Sequence, residues 1–311
     1  MLDTTTDLTV IAFQITGFVL APLLFGLINR TKASFAGRSG PHLLQTYFDL
    51  WKLLRKGAVY SSTTTPLFRA GPIVNLAATG CAMLLLPSFG SGALLSFPGD
   101  FIVLVGLLAL ARFFMVVAAL DTGSSFEGMG ASREVTLAAL GEPALFLVLA
   151  VLVIITGSVS LAGMLDYGFI QSWGGGTGPA VALALAALIL VLLVENARIP
   201  VDDPNTHLEL TMIHEVMVLD HSGPDLAYLG YAATLKLWIF SAILVAITLP
   251  THTGILWADA TVFACGMFGA ALLVGVIESA MARLRMSEIP QMITIALALA
   301  SMSAAIALVA R

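Results

Sequence analysis

Charged residues are scarce in this sequence. Only 11% of its 311 residues are charged and 59% are hydrophobic, whereas soluble domains are about 25% charged and about 45–50% apolar. This composition excludes a soluble enzyme, a nucleic-acid-binding domain and a disordered chain. The net charge of −5 also gives no electrostatic basis for binding nucleic acid. The chain is therefore predicted to be a membrane protein that crosses the bilayer several times.

Cysteine and the common cofactor motifs are also nearly absent. The two cysteines, Cys81 and Cys265, lie far apart and no CxxC pair occurs, so the chain cannot supply the four thiolates of an iron–sulfur cluster. Both are predicted to be buried thiols of the core. The sequence contains no Walker A loop, no dinucleotide-binding fingerprint and no internal repeat. We therefore expect no catalytic residue, no cofactor and no metal site in this chain.

Long apolar segments are what the sequence has in abundance. A helix needs about 20 mainly apolar residues to cross the hydrocarbon core of a bilayer. We predict an all-α integral membrane protein, a bundle of eight transmembrane helices in a single polytopic domain over residues 1–311. We expect the first span not to be a cleavable signal peptide, because Asp3 and Asp7 precede it and Asn29 and Arg30 follow it. The spans are predicted at about 8–28, 68–88, 100–120, 136–160, 179–197, 233–250, 258–281 and 288–309.

Lysine and arginine are distributed unequally between the two sets of loops. Eleven fall in the connections after spans one, three, five and seven, whereas the opposite connections contain none and only Arg311 lies on their side. Because basic loops remain in the cytoplasm, both termini are predicted to lie outside, in the inner (cytoplasmic) membrane of a cell. The eleven residues are Arg30, Lys32, Arg38, Lys52, Arg55, Lys56, Arg69, Arg133, Arg198, Arg283 and Arg285.

A short amphipathic helix is predicted over residues 40–56, between the first two spans. Its apolar residues recur at helical spacing and form one stripe, with Asp49 and the basic residues largely off it. This pattern is typical of a helix that lies in the membrane interface, here on the cytoplasmic side. A membrane anchor without further function is the alternative that the spacing leaves open. The stripe comprises Leu43, Leu44, Tyr47, Leu50, Trp51 and Leu54.

Several ionisable residues lie at or inside the apolar segments. Such a group costs several kcal/mol there unless it is paired or hydrated, so each is a candidate functional residue. All lie in or near the cytoplasmic half, which indicates a lateral connection to another subunit rather than a path across the membrane. Interhelical salt bridges that only stabilise the bundle are the alternative. The candidates are Arg112, Arg133, Glu134, Glu142, Glu195, Lys236 and Glu278.

The densest polar stretch is the cytoplasmic loop 198–224. Pro200 and Pro204 end the preceding helix, and a new helix is expected to start at residue 204 or 205 and to stop at Gly223. Three histidines recur every seven residues along it, which separates them by about 10 Å on a helix and argues against a shared metal ion. These histidines are His207, His214 and His221.

Four stretches resemble the membrane subunit shared by respiratory complex I (the NADH–quinone oxidoreductase subunit 1 family) and the group 4 membrane-bound hydrogenases. They are GRSGPHLLQTYFDLWKLLRK (37–56), GASREVTLAALGEPAL (130–145), ENARIPVDDPNTHLELT (195–211) and ESAMARLR (278–285). The third is the most specific, because it is similar to the family's E-x-x-R-x-P-x-D element. The runs LDTGSSFEGMGASRE and LELTMIHEVMVLDHSGPDLA resemble the hydrogenase branch, which includes formate hydrogenlyase and hydrogenase-4.

The resemblance implies a subunit that docks a cytoplasmic redox arm and relays protons laterally to antiporter-like membrane subunits. Carboxylates in a seam of low dielectric have coupled protonation, so a nearby charge change could move a proton along them. The proton path predicted in this way comprises Glu142, Glu195, Glu209, Glu134, Arg133, Arg198, Arg112, Lys236 and Glu278. The residues predicted to dock the redox arm are Asp49, Asp202, Asp203, His214 and Glu215.

The implied partners are the large and small soluble subunits of a hydrogenase-like or complex I-like enzyme, together with the lipid bilayer. Iron–sulfur and nickel–iron centres would belong to those subunits. Residues 37–66, 121–134 and 198–224 are expected to form the covered cytoplasmic face. A quinone-binding subunit of a complex I-type NADH dehydrogenase is one alternative, although Asn205 and His207 replace acidic residues of complex I and weaken the case for a quinone entrance. A stand-alone transporter or channel is the other.

Overall fold

The computed structural model contains helices joined by loops, and the described residues form no strand. The described residues are 4–89, 91–166, 173, 176–202, 212–250 and 254–310. The helices are α1 (Thr4–Phe35), α2 (Gln45–Leu54), α3 (Pro66–Leu84), α4 (Asp100–Asp121), α5 (Ser125–Thr156), α6 (Leu161–Asp166), α7 (Gly178–Glu195), α8 (His214–Met217), α9 (Pro224–Thr248), α10 (Leu256–Ala280) and α11 (Ile289–Ala310). Eight of them are long and apolar enough to cross a membrane, all except α2, α6 and α8. The predicted bundle of eight spanning helices is confirmed.

Two spanning helices begin earlier than predicted. α5 begins at Ser125 rather than near residue 136, and α9 begins at Pro224 rather than near residue 233. Proline suits the first turn of a helix because the N–H that it lacks would have no partner there. The added turns carry two buried acidic residues, Glu127 and Asp225, which an apolar window along the sequence does not include.

α9 lies at the centre of the bundle. It packs against α1, α3, α7 and α10, and Leu235, Leu237, Ile239 and Phe240 are fully buried. A helix that is apolar on all sides needs neighbours on all sides. The surrounding helices instead expose large apolar side chains, for example Phe113 on α4, as expected of helices that face lipid.

The prediction that the two cysteines are buried is wrong. Cys81 on α3 and Cys265 on α10 are both exposed on the surface of the bundle. The lipid-facing surface of a membrane protein is as apolar as its core. Apolar neighbours along the sequence therefore do not distinguish a core thiol from a lipid-facing one.

The loops meet at two ends of the bundle. At one end, the Val59 amide donates a hydrogen bond to Ser222 Oγ at 3.1 Å. At the other end, the Leu161 amide donates to Asp100 Oδ1 at 2.6 Å. We call the first the basic end, because its loops carry six lysine and arginine residues, whereas the described loops at the other end carry none. Within the described chain, the basic end comprises residues 36–44, 55–65, 122–124, 196–202, 212–223 and 281–288.

The loop between α7 and α9 is less helical than predicted. In its described part only α8 is helical, and residues 218–220 form a turn. The helix expected to continue to Gly223 therefore ends at Met217. The cause is tertiary, because the turn allows His221 to stack on Phe68 of α3. The predicted start of this helix, within residues 203–211, lies outside the described residues.

α2 lies within the predicted amphipathic segment, but its apolar residues divide between two faces. Tyr47 and Leu50 are half-buried, on the side that packs against α1 and α9. Phe48 and Trp51 are exposed, at 56% and 59% of their surface. In place of the single apolar stripe that the sequence predicts, α2 therefore has one face that packs against the bundle and one that is exposed.

Candidate functional site

Arg112 is the centre of the candidate site. It lies on α4, and only 8% of its side chain is exposed. Its Nε is 3.1 Å from Glu134 Oε1, and its two terminal nitrogens pair with Glu142 and Glu195. Each nitrogen of the planar guanidinium thus meets a different carboxylate. The structure therefore joins four residues that the sequence predicted separately.

Two of these carboxylates come from one face of α5. Glu134 and Glu142 are eight residues apart, which is about 12 Å along a helix, and Arg112 bridges the gap between them. Their side chains are 18% and 36% exposed, so Glu142 is the most accessible member of the group. α5 and the end of α7 are close here, because a Cβ atom on Gly141 would be in van der Waals contact with Glu195 Oε1, at 3.7 Å.

Glu195 connects Arg112 to a second cation. It is the last residue of α7, and its side chain is 2% exposed. Its Oε2 pairs with Arg112 and also lies 2.9 Å from Lys236 Nζ on α9. We call Arg112, Glu134, Glu142, Glu195 and Lys236 the Arg112 cluster. With every member ionised, its three carboxylates and two cations carry a net charge of −1.

A cavity opens beside the Arg112 cluster. Its volume is about 70 Å³, and it is partly open to the surroundings. Arg112, Glu134, Glu195 and Lys236 line it, together with His214. The cavity gives water a place beside the ion pairs, and hydrated groups cost less in the membrane interior than dry ones.

A second ion cluster is centred on Arg198, three residues after the end of α7. Arg198 Nη1 is 3.4 Å from Glu278 Oε1, and Lys32 Nζ is 2.8 Å from Glu278 Oε2. The Arg198 guanidinium also lies over the Phe25 ring, 4.0 Å from its centroid. We call Arg198, Glu278 and Lys32 the Arg198 cluster. Ala197 is the turn between the two clusters and has a left-handed φ of 47°, a conformation that costs a residue with a Cβ atom about 1–2 kcal/mol.

Asp202 and Arg133 hold the loop that follows. Asp202 Oδ2 accepts hydrogen bonds from the Ile213 and His214 amides at 2.9 and 3.2 Å. Its Oδ1 lies 2.7 Å from Arg283 Nη2. Arg133 donates to the Met212 carbonyl at 2.9 Å. These bonds fix the start of α8 to α5 and to the end of α10.

The residues predicted to dock a redox arm lie in different environments. Asp49 is exposed on α2, where Gln45 Nε2 donates to it at 2.9 Å. His214 and Glu215 on α8 are half-buried. Asp202 is 1% exposed, so any docking role that it has must act through the shape of the loop. Asp203, predicted for docking, and Glu209, predicted for the proton path, lie outside the described residues.

Sequence reasoning missed a buried polar group at the basic end. Glu127 is 1% exposed and accepts a hydrogen bond from the Asp220 amide at 3.1 Å. His221 is 3% exposed and stacks on Phe68 with 4.0 Å between ring centroids. Burial lowers the pKa of His221, although the nearby carboxylates of Asp225 and Asp220 favour its charged form. The seven-residue spacing of the histidines gave no indication of this contact, because Phe68 is distant in the sequence.

The described part of the chain contains no group of three or more His, Cys, Asp or Glu side chains that could hold a metal ion. The ion pairs of the two clusters instead join carboxylates to guanidinium and ammonium groups. Carboxylates in such a setting can bind and release protons, and these equilibria respond to nearby charge.

Comparison with known proteins identifies the family of this chain. The NADH dehydrogenase family matches residues 8–309. The chain belongs to the NADH dehydrogenase family. Formate hydrogenlyase subunit 4 of Escherichia coli (strain K12) is 30% identical to this family member over 286 residues, 88% of this chain and 90% of the relative. Hydrogenase-4 component C of the same strain is 34% identical over 232 residues, 75% of this chain and 72% of the relative. These matches confirm the resemblance seen in the four sequence stretches.

A solved structure shares the fold of this NADH dehydrogenase family chain. It is a chain from the membrane-bound sulfane sulfur reductase, an archaeal respiratory membrane complex, with a TM-score of 0.82. The alignment covers 97% of this chain and 99% of that chain at 20% identity. Identity at this level establishes the common fold and nothing about the chemistry.

Proposed function

We propose that the chain is the membrane anchoring and coupling subunit of a hydrogenase or formate hydrogenlyase-type complex. It docks a soluble redox arm at its basic end and passes protons laterally, through the Arg112 cluster, to antiporter-like membrane subunits. The observation that carries this proposal is the contact of one buried arginine with three carboxylates. The names of the two Escherichia coli relatives support the type of complex.

The charge of the Arg112 cluster supports proton carriage. Its net charge of −1 leaves one carboxylate more than the two cations can neutralise. An unbalanced negative charge in a low-dielectric interior favours uptake of a proton. Because the three carboxylates share Arg112, protonation of one changes the proton affinity of the others. A redox change near the basic end can then shift the proton among them.

The arrangement of the two clusters supports a lateral direction. The Arg198 cluster joins α10 and α1, and the Arg112 cluster joins α9, α7, α4 and α5. Glu195 and Arg198 stand at the end of α7, only a turn apart. The described charged residues therefore run from one side of the bundle to the other, with Glu142 as the exposed terminus at α5.

The docking part of the proposal rests on the basic end. Its loops and the adjacent helix ends carry a basic excess that favours the cytoplasmic side, so the proposal has both termini outside, in the inner membrane. Loops 55–65 and 212–223 are joined there by the bond between Val59 and Ser222. The soluble large and small subunits would cover this joined surface and would hold the iron–sulfur and nickel–iron centres.

The experiment compares Glu142→Gln and Glu195→Gln in the assembled complex. Glutamine keeps the volume and hydrogen-bonding capacity of glutamate but cannot ionise. We expect normal amounts of complex and loss of redox-driven proton translocation. Glu288→Gln is the matched control, because this carboxylate lies outside both clusters and accepts only the Arg285 amide in the described contacts.

A purely structural role predicts a different result. Loss of a buried ion-pair partner costs about 3–5 kcal/mol, so the two variants would then reduce the amount of assembled complex. Normal amounts together with normal translocation in both variants would contradict the relay and the structural role alike.

A quinone-binding function is the second candidate, because the matching family is described as NADH dehydrogenase. The cavity beside Arg112 does not favour it, because its volume of about 70 Å³ lies well below the roughly 300–1,000 Å³ of small-molecule sites. Extraction of the purified complex, followed by chromatographic analysis for quinone, tests this candidate. One quinone retained per complex would favour it over the hydrogenase-type assignment.

A further inference from the structure

α2 has an apolar face that the described residues leave largely exposed, with the His42 ring 6.0 Å from the Phe48 ring. Leu44, Phe48 and Trp51 are 42%, 56% and 59% exposed. They are spaced four and three residues apart, so they lie on the same side of the helix. Arg55 follows on that side, and its guanidinium lies 4.6 Å from the centroid of the Trp51 ring.

The neighbouring face attaches α2 firmly to the bundle. Tyr47 Oη donates to the Val19 carbonyl of α1 at 2.5 Å. The Leu43 carbonyl lies so close to α1 that a Cβ atom on Gly26 would be 2.1 Å from its oxygen. The attachment of α2 therefore makes no use of the face that carries Phe48 and Trp51, which leaves that face free for another molecule.

The position of α2 along α1 indicates what that molecule is. Val19 and Gly26 belong to the apolar part of α1, within the predicted span 8–28. Val19 itself is 58% exposed beside Tyr47. The surroundings of α2 are therefore those of a bilayer, from Gly26 near the basic-end boundary of the span to Val19 near its middle. Aromatic and aliphatic side chains at that level contact acyl chains beneath the headgroups.

The charges at the end of α2 select the headgroup. Lys52, Arg55 and Lys56 are exposed, and the single carboxylate of the helix, Asp49, already accepts a hydrogen bond from Gln45. Three cations beside one hydrogen-bonded carboxylate attract anionic lipid. Each basic residue near the surface raises the partition coefficient roughly five-fold. The helix C-terminus lies in the same place, where cations are favoured by the helix dipole.

We propose that this surface of α2 binds acidic phospholipid of the basic-end leaflet. The acyl chains pack on Leu44, Phe48 and Trp51, and Lys52, Arg55 and Lys56 hold the phosphate. This interaction is separate from the proton relay, so a negative result for lipid binding would leave the proposed function intact. The polar side of α2 with Asp49 remains open to a soluble subunit.

A fluorescent label placed on this face tests the proposal in the intact complex. Cys81→Ala and Cys265→Ala remove the exposed native thiols, and Phe48→Cys then carries an environment-sensitive dye. Asp49→Cys is the matched control, because it lies one residue further on, on the polar side. The complex is reconstituted in an equimolar mixture of phosphatidylcholine and phosphatidylglycerol, with a spin label on one lipid or the other.

We expect the dye at position 48 to be quenched several-fold more by spin-labelled phosphatidylglycerol than by spin-labelled phosphatidylcholine. The dye at position 49 should be quenched by neither spin-labelled lipid. Lys52→Gln, Arg55→Gln and Lys56→Gln together should abolish the lipid preference, whereas Arg285→Gln, a basic residue elsewhere at the same end, should retain it. Three results at position 48 would overturn the proposal. Quenching by neither lipid would show that a protein covers the face, and quenching by iodide would show that water does. Equal quenching by both lipids would show that the headgroup is not selected.

Discussion

Glu195 shares one carboxylate oxygen between two cations: its Oε2 pairs with Arg112 and lies 2.9 Å from Lys236 Nζ. The two cations are not equivalent. Arg112 also pairs with Glu134 and Glu142, whereas the Lys236 side chain is 21% exposed and pairs only with Glu195 among the described residues. Arg112 therefore determines the geometry of the cluster, and Lys236 adjusts its charge.

Removal of the two cations should affect stability to different degrees. Arg112→Met leaves three carboxylates without their common partner and should cost about 3–5 kcal/mol. Lys236→Met leaves Glu195 paired with Arg112, so we expect a smaller loss. Thermal unfolding of the purified complex measures both variants. A Lys236→Met variant that unfolds at a lower temperature than Arg112→Met would contradict this ranking.

Gly26 should be essential for the attachment of α2. A Cβ atom there would lie 2.1 Å from the Leu43 carbonyl oxygen, and relief of such a clash by backbone movement costs about 1–3 kcal/mol. Gly106→Ala is the control, because nothing lies within 4 Å of its Cβ position and alanine favours a helix over glycine. In thermal unfolding, Gly26→Ala should lower the midpoint and Gly106→Ala should leave it unchanged or raise it. Equal midpoints for the two variants would show that α2 does not pack as described.

His221 should make stability depend on pH in the acidic range. Burial holds its pKa below the usual value of 6.5, so below about pH 6.5 the unfolded chain binds a proton that the folded chain does not. Stability therefore falls as the pH is lowered, by at most about 1.4 kcal/mol per pH unit for this one group. His221→Phe keeps the stacking on Phe68 and cannot take up a proton. We expect the variant to lose less thermal stability than the unmodified chain between about pH 7 and pH 5.5; superimposable pH profiles would exclude this effect.

The orientation in the membrane should follow the basic loops. A cysteine at Ser62 should react only with reagents on the cytoplasmic side, and one at Ile255, which is 64% exposed, only with reagents on the outside. Labelling of intact cells with a membrane-impermeant maleimide distinguishes the two sites, in a background that lacks Cys81 and Cys265. Labelling of residue 62 in intact cells would reverse the orientation.

The sequence was sufficient to predict the eight spans and to single out Arg112 as a charge inside an apolar helix. A buried charge in an apolar helix is conspicuous because its cost must be offset by a partner. Which partner it has depends on how α4, α5 and α7 are rotated about their axes. Those rotations are determined by tertiary packing and cannot be predicted from the sequence alone. The spacing of Glu134 and Glu142 limited them to one side of α5, yet nothing local indicated that one guanidinium would bridge both.

The wrong predictions have the same cause. Cys81 and Cys265 lie among apolar residues, but lipid and protein core are equally apolar, so the sequence could not assign the side that each faces. The apolar residues of α2 divide between a packed face and a bare face, and this division depends on where α1 and α9 lie. His221 is placed by Phe68, a contact between segments that are distant in the chain.

The most direct test of the relay is redox-induced infrared difference spectroscopy of the assembled complex. A carboxylate that takes up a proton gains the C=O stretch of a carboxylic acid, and a glutamine at the same position cannot. We predict such a band when the redox state of the complex changes, its loss or marked decrease in Glu142→Gln and Glu195→Gln, and its retention in Glu288→Gln. A band of unchanged size in both cluster variants would contradict proton carriage by the Arg112 cluster.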